Sequence, residues 1–261
     1  MNDNVTLYHG DCLELMGRIP DKSISAVICD LPFGVLSKSN PSAKWDSIIP
    51  FEPLWEHYKR VCKDNAAIVL FAQGMFTAKL MMSNPNMLRY NLVWDKVNRP
   101  TGFLDANRKP MRIHEDIVVF YCSQPTYNPQ FSIGQKCHSR GKAGNSDGKC
   151  KNRNYGKFKA TETVITNKKY PTSILSFDKE HKEFHHQTAK PVDLLRYLIR
   201  TYSNEGDTIL DNTMGSGSTG VAAVMENRKF VGIELQDNYY QIAQKRINEA
   251  IIKKQSEIQF E

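Results

Sequence analysis

The run Ile209-Leu210-Asp211-Asn212-Thr213-Met214-Gly215-Ser216-Gly217-Ser218-Thr219-Gly220 restricts the fold of this chain more than any other feature. An apolar run, a carboxylate, a glycine-rich turn and a helix-forming stretch follow one another there, the pattern of a strand feeding a helix. Glycines let the backbone turn sharply and approach a ligand closely. A second apolar run, Lys229 to Ile233, ends at Glu234. An acid at that place can accept hydrogen bonds from both hydroxyls of a ribose. The unit predicts an adenosine-type ligand in a doubly wound, Rossmann-like α/β fold. Gly215-x-Gly217-x-x-Gly220 also has the spacing of an NAD turn. Asp211 argues against NAD, because a carboxylate beside the turn repels a pyrophosphate. It suits the ammonium and sulfonium end of S-adenosylmethionine.

The texture around this unit agrees. Residues 1–122 alternate β-like runs (Ser25 to Cys29, Ala66 to Phe71, Leu92 to Trp94, Ile117 to Tyr121) with helical stretches such as Phe51 to Cys62. Such alternation predicts a parallel sheet covered on both faces. Residues 123–185 are rich in Lys, Asn, Ser and Gly without periodicity, and read as an insertion outside the core. Residues 186–261 return to α/β texture. Pro191 opens a helix with Leu195, Leu198, Ile199 and Tyr202 on its buried face. Asp237 opens a last helix with apolar positions at Tyr240, Ala243, Ile247 and Ile251.

Charge separates the same three regions. From Lys136 to Lys169 there are ten Lys and Arg against Asp147 and Glu162, whereas the rest of the chain has 25 basic and 26 acidic residues. Charge focused in one segment attracts a polyanion, so this segment is expected to contact nucleic acid. A mobile solvated loop is the plainer alternative. The six cysteines are irregularly spaced, which suits free thiols better than a disulfide framework. Cys137, His138 and Cys150, or the histidines at 181, 185 and 186, match no zinc spacing, so no metal is expected. The longest apolar runs, such as Ala66 to Ala72, are too short for a bilayer. No N-terminal segment has the make-up of a signal peptide, and a cytoplasmic protein is expected.

The apolar run from Ser25 ends in Asp30-Leu31-Pro32-Phe33-Gly34. Ligands of open α/β sheets sit at the carboxyl ends of strands, which makes this tetrapeptide a candidate active site. The residue types suit an exocyclic amine, which is planar, conjugated and a poor nucleophile. Asp30 can accept one N–H and the Leu31 carbonyl, held by Pro32, the other. Phe33 offers a face for a flipped base. Taken alone, the same residues also read as an Asx-Pro turn closing a strand.

Together, these features resemble the permuted, β-type amino-methyltransferases of DNA, over nearly the whole chain and least between 123 and 185. Asp30-Leu31-Pro32-Phe33 is similar to the family's Asp-Pro-Pro-Tyr motif, and Gly10-Asp11-Cys12 to its Gly-Asp-Cys. His114-Glu115 resembles its His-Glu segment, and His186-Gln187-Thr188-Ala189-Lys190-Pro191 its His-Pro-Thr-x-Lys-Pro. Asp211 to Gly217 resembles the cofactor loop, with Asn212-Thr213-Met214 in place of the usual Pro-Phe.

The resemblance implies a site-specific transfer from S-adenosylmethionine to N6 of adenine, since Asp at the first motif position is typical of adenine enzymes. N4 of cytosine and a non-catalytic nucleic-acid-binding module are the alternatives. It implies cofactor contacts from Asp11, Cys12, Lys190, Asp211, Asn212, Thr213, Gly215, Gly217, Ser218, Thr219, Glu234 and Leu235. Contacts to double-stranded DNA would come from Lys136, Arg140, Lys142, Lys149, Lys151, Arg153 and Lys157 in the recognition region. The expected organisation is a catalytic half (1–122), a target-recognition region (123–185) and a cofactor half (186–261). A prokaryotic or phage protein, a homodimer and a cognate restriction endonuclease go with the resemblance.

Overall fold

The structure, a computed structural model, describes residues 4–35, 46–135, 166–178 and 189–258. The chain forms two units, Met1–Asn128 with Ser173–Glu261, and Pro129–Thr172.

The larger unit is built on an eight-stranded sheet of order β1-β10-β9-β2-β3-β5-β4-β8. Its strands are β1 (Val5–His9), β2 (Ile24–Asp30), β3 (Cys62–Ala72), β4 (Leu88–Asp95), β5 (His114–Phe120), β8 (Ile174–Ser176), β9 (Thr208–Asp211) and β10 (Lys229–Glu234). The helices are α1 (Cys12–Leu15), α2 (Phe51–Val61), α3 (Met75–Ser83), α4 (Val192–Tyr202), α5 (Ser218–Met225) and α6 (Asp237–Ile258). Residues alternate between the two faces of each strand. In β3, Ile68 and Leu70 enter one core with Leu54, Trp55 and Tyr58 of α2 and Phe76 and Leu80 of α3. Ala67, Val69 and Phe71 enter the other, with Leu195 and Leu198 of α4, Ala222 of α5 and Ala243 and Ile247 of α6. Both faces are therefore covered, as expected for a doubly wound sheet.

Two expectations need correction. The sheet is mixed, not parallel: β5 runs antiparallel to β3 and to β4, while the other pairings are parallel. Parallel neighbours need a crossover, whereas a hairpin-like loop returns the chain antiparallel. The connection from β4 to β5 holds only a 3-10 turn at Phe103–Asp105. Second, the stretch read as lying outside the core supplies strand β8, which pairs with β4 and buries Leu175. Three residues are too few to show a period.

The smaller unit holds β6 (Ser132–Ile133) paired antiparallel with β7 (Lys168–Lys169), and the rings of Phe131 and Tyr170 meet edge-on at 4.8 Å. No helix among the described residues is long and apolar enough to cross a membrane.

Candidate active site

Strands β2 and β9 lie side by side, with Ala26 opposite Ile209 and Val27 opposite Leu210. From β2 the chain winds through α2 to β3 on one side, and from β9 through α5 to β10 on the other. Strand order reverses at this boundary, and open α/β sheets bind ligands in the crevice that such a reversal leaves. A cavity of about 600 Å³ opens there. Its wall includes Asp30, Leu31, Pro32 and Phe33 from the end of β2, and Asp211, Asn212, Thr213 and Gly215 from the end of β9. The two segments are tied directly, since the Thr213 hydroxyl donates to the main-chain carbonyl of Asp30 at 2.9 Å.

Asp30 belongs to a chain of four alternating charges. Lys190 Nζ donates to Asp30 Oδ2 and lies 3.2 Å from Glu115 Oε2. The other oxygen of Glu115 is 2.5 Å from Lys96 Nζ. The Lys190 ammonium also sits over the rings of Phe71, at 5.0 Å, and Phe33, at 5.8 Å. Burying an ion costs several kcal/mol, recovered only when a partner stands close; the alternation gives each inner charge two partners. Burial pushes the Asp30 carboxyl above its ordinary range, against the pull of Lys190. Burial also works to raise Glu115, yet Lys190 and Lys96 hold it below the usual carboxylate value. Burial opposes the Lys190 charge, but Asp30 and Glu115 raise its pKa. Asp30 Oδ1 is buried and has no hydrogen-bond partner among the described residues.

The segment after β2 is braced by Asp46, whose two oxygens accept the main-chain N–H groups of Gly34 at 3.0 Å and Val35 at 2.7 Å. That brace holds Phe33 against Phe76, with ring centroids 5.0 Å apart.

The glycine turn is held by main-chain geometry. Gly217 has φ 79°, and a Cβ there would lie 2.8 Å from the Cβ of Ala243 in α6. The turn needs glycine both for its conformation and for its approach to α6. Gly217 is not among the residues that line the cavity, and it packs against α6. Glu234 accepts from Gly215 N at 2.9 Å and Gln236 N at 2.8 Å. Arg246 of α6 donates to the Ser216 carbonyl at 2.6 Å. Tyr58 of α2 donates to Asn212 Oδ1 at 2.6 Å. Burial pushes the Asp211 carboxyl up to about 6.

Apart from Gly217, every residue named for catalysis or cofactor contact lines this one cavity, including Asp11, Cys12, Ser218, Thr219, Glu234 and Leu235. Lys190 lines the cavity and also pairs with Asp30. Cys29 is a buried thiol 3.0 Å from the Thr213 hydroxyl, and burial holds its pKa well above the ordinary value. Lys136, Arg140, Lys142, Lys149, Lys151, Arg153 and Lys157 lie outside the described residues, as do the histidines and cysteines weighed as metal ligands. Sequence reasoning gave Lys96, Asp46 and Arg246 no role at the site, whereas Glu115 carried a signal through its place in the His-Glu pair.

Known proteins place this geometry. The DNA methylase family N6_N4_Mtase matches residues 24–245. Curated relatives include the type II methyltransferase M2.MboI of Moraxella bovis, 24% identical over 94% of this chain and 88% of its own length. M.HinfI of Haemophilus influenzae is 26% identical over 94% of this chain and 68% of its own length. The DNA adenine methyltransferase YhdJ of Escherichia coli K12 is 24% identical over 95% of this chain and 84% of its own. Among solved structures, the complex of M1.HpyAVI with SAM superposes with a TM-score of 0.61 at 22% identity, covering 94% of this chain and 99% of that one. The cytosine-N4-specific PvuII methyltransferase gives 0.64 at 17% identity, over 96% of this chain and 92% of that one. With the fold, the shared cavity and a family match spanning most of its length, this chain belongs to the N6/N4 family of DNA methylases.

Proposed function

We propose that this chain transfers the methyl group of S-adenosylmethionine to N6 of an adenine displaced from duplex DNA. One observation carries the reading: Asp30 Oδ1, a buried carboxylate oxygen with no donor among the described residues, on the wall of the cavity shared with the glycine turn. An exocyclic amine brings the missing donor. Asp30 accepts one of its N–H groups and the Leu31 carbonyl the other, which favours a pyramidal nitrogen with an available lone pair. Lys190 holds Asp30 Oδ2 and favours the ionised carboxylate that burial disfavours. Phe33 supplies a stacking face for the base. The main contribution of the chain is positioning for direct in-line transfer.

The residues around the glycine turn suit this cofactor, which supplies an electrophilic methyl carried by a sulfonium. Glu234 presents its carboxylate to ribose hydroxyls, Asp11 lies where an adenine amine can donate, and Asp211 faces the cationic end. Residues 1–122 form the catalytic half in this reading, 186–261 the cofactor half, and 123–185 the target-recognition region. The basic residues from Lys136 to Lys157 contact DNA phosphates from there. A cytoplasmic, prokaryotic protein, a homodimer and a cognate restriction endonuclease accompany the proposal.

Adenine is favoured by Asp at the first motif position and by the name of the Escherichia coli relative. The fold does not decide the base, since the cytosine-N4 enzyme superposes as well. The test is mass spectrometry of nucleosides from the DNA of a methylation-free host expressing the protein. N6-methyladenine is the expected product. N4-methylcytosine would keep the mechanism and overturn the base, and no modified base would overturn the reading.

A further inference from the structure

The loop from β4 to β5 carries features that methyl transfer itself does not use. It starts at Lys96 and runs into β5, which holds Glu115, both residues being in the charge chain, and Thr101 lines the cavity. Its base is clamped, with Thr101 and Arg112 exchanging main-chain hydrogen bonds of 2.7 and 3.0 Å, and Lys96 N donating to Ile113 O at 2.9 Å. Arg99 fastens it further through Asp178 at 3.6 Å. At the tip, Gly102 turns the chain with φ 88° into the short 3-10 turn Phe103–Asp105. Two large apolar side chains stand in solvent there: Phe103 is 74% and Leu104 84% exposed. Exposed neighbours of this kind on a clamped loop mark a contact surface.

The surroundings indicate what covers them. Lys109 pairs with Asp105 at 3.0 Å. Arg108 and Arg112 have no ion pair among the described residues. An exposed apolar pair on the same loop as two guanidinium groups without ion pairs among the described residues, next to Thr101 in the cavity wall, complements a polyanion with an apolar interior. Double-stranded DNA has that chemistry. Proteins that unstack it insert Phe, Leu, Ile or Met between bases, and a base leaving the duplex creates a gap for such a side chain.

We propose that Phe103 and Leu104 form a wedge that enters duplex DNA beside the cavity and fills the space of the displaced base, while Arg108 and Arg112 hold the flanking phosphates. This inference rests on the DNA-methylation reading above.

The test uses the full chain and a duplex carrying the motif it methylates in host DNA. A second duplex has an abasic site opposite the target adenine, so that the adenine is already unpaired. Phe103→Ala/Leu104→Ala removes only exposed side chains. It should keep the wild-type melting temperature and cofactor affinity, and lose about 10- to 100-fold in kcat/KM on the matched duplex, since unstacking then goes uncompensated. On the abasic duplex the loss should shrink to about threefold or less. Arg108→Ala/Arg112→Ala should weaken both duplexes alike and flatten the salt dependence of binding. Equal losses of the Phe103/Leu104 variant on both duplexes, or no loss on either, would overturn the wedge. So would a change from dimer to monomer with DNA binding intact, which would make this tip an interface between two copies. A wild-type protein that methylates no DNA would overturn the underlying reading as well; one that methylates while the wedge variant matches it would overturn the wedge alone.

Discussion

The glycine turn and the ion cluster around Asp30 share one cavity but are built by opposite means. The turn is one stretch of chain, Asp211 to Thr219, shaped by a left-handed glycine and by main-chain groups that Glu234 and Arg246 hold. The cluster draws each charge from a different element, with Asp30 ending β2, Lys96 following β4, Glu115 in β5 and Lys190 preceding α4. Asp30 and Lys190 are 160 residues apart. The turn is a shape that side chains decorate, whereas the cluster is a set of side chains that exists only once the sheet has formed. Damage to the turn should weaken cofactor binding, and damage to the cluster should slow transfer.

Asp30→Ala is the sharpest way to break this division. It should lower turnover at least about 1,000-fold while the cofactor dissociation constant stays within about threefold, as for an interaction made in the transition state. Turnover assays beside calorimetry check it, and parallel losses in both would merge the two regions into one.

Lys190→Met leaves Asp30 and Glu115 without their shared cation. Breaking a buried pair costs roughly 3–5 kcal/mol of stability, and kcat should fall about 100-fold if Asp30 must be ionised. Without the ammonium, the Asp30 pKa rises further, so the acidic limb of the pH–rate profile moves to higher pH. A limb that stays in place, with stability alone reduced, would show a purely structural lysine.

Asp211 sharpens the other side. Burial pushes its carboxyl up to about 6. Only the ionised form attracts a cation, so affinity for a cationic cofactor is full above that value and falls as pH drops through it. Binding should weaken about tenfold from pH 7 to pH 5. Asp211→Asn should bind more weakly with a flat profile over the same range.

The smallest effect is expected at Cys29, packed between the two regions. Direct transfer needs no thiol, so Cys29→Ala should keep turnover within about threefold and cost on the order of 1 kcal/mol in stability. Loss of activity with the fold intact would bring a covalent step back into consideration.

Legibility in the sequence follows the same division. Asp30-Leu31-Pro32-Phe33 and Asp211 to Thr219 were readable because each keeps its chemistry within one short run after an apolar strand. Their meeting was expected from the rule that ligands sit at strand ends, and the Thr213–Asp30 hydrogen bond is its atomic form. Lys96 carried no sign of its role, because a lysine after a strand looks like any solvated lysine. Lys190 is legible through its place before Pro191, but its neighbourhood in sequence says nothing of the two carboxylates it meets. Strand β8 was lost for want of length, and the reversal of β5 for want of any signal distinguishing a long hairpin from a crossover.

By itself, the sequence determined the strands that end at Asp30, Asp211 and Glu234, the helices of the cofactor half, where the glycine turn lies and which tetrapeptide ends β2. Periodicity, apolar content and the backbone freedom of glycine are properties of neighbouring residues and survive in a linear reading. The tertiary structure alone decided that β5 runs against its neighbours, that Glu115 meets Lys96 and Lys190, and that Lys190 links them to Asp30. Those charges are stable only in each other's company, at a few ångströms and out of water, and no linear pattern records that distance.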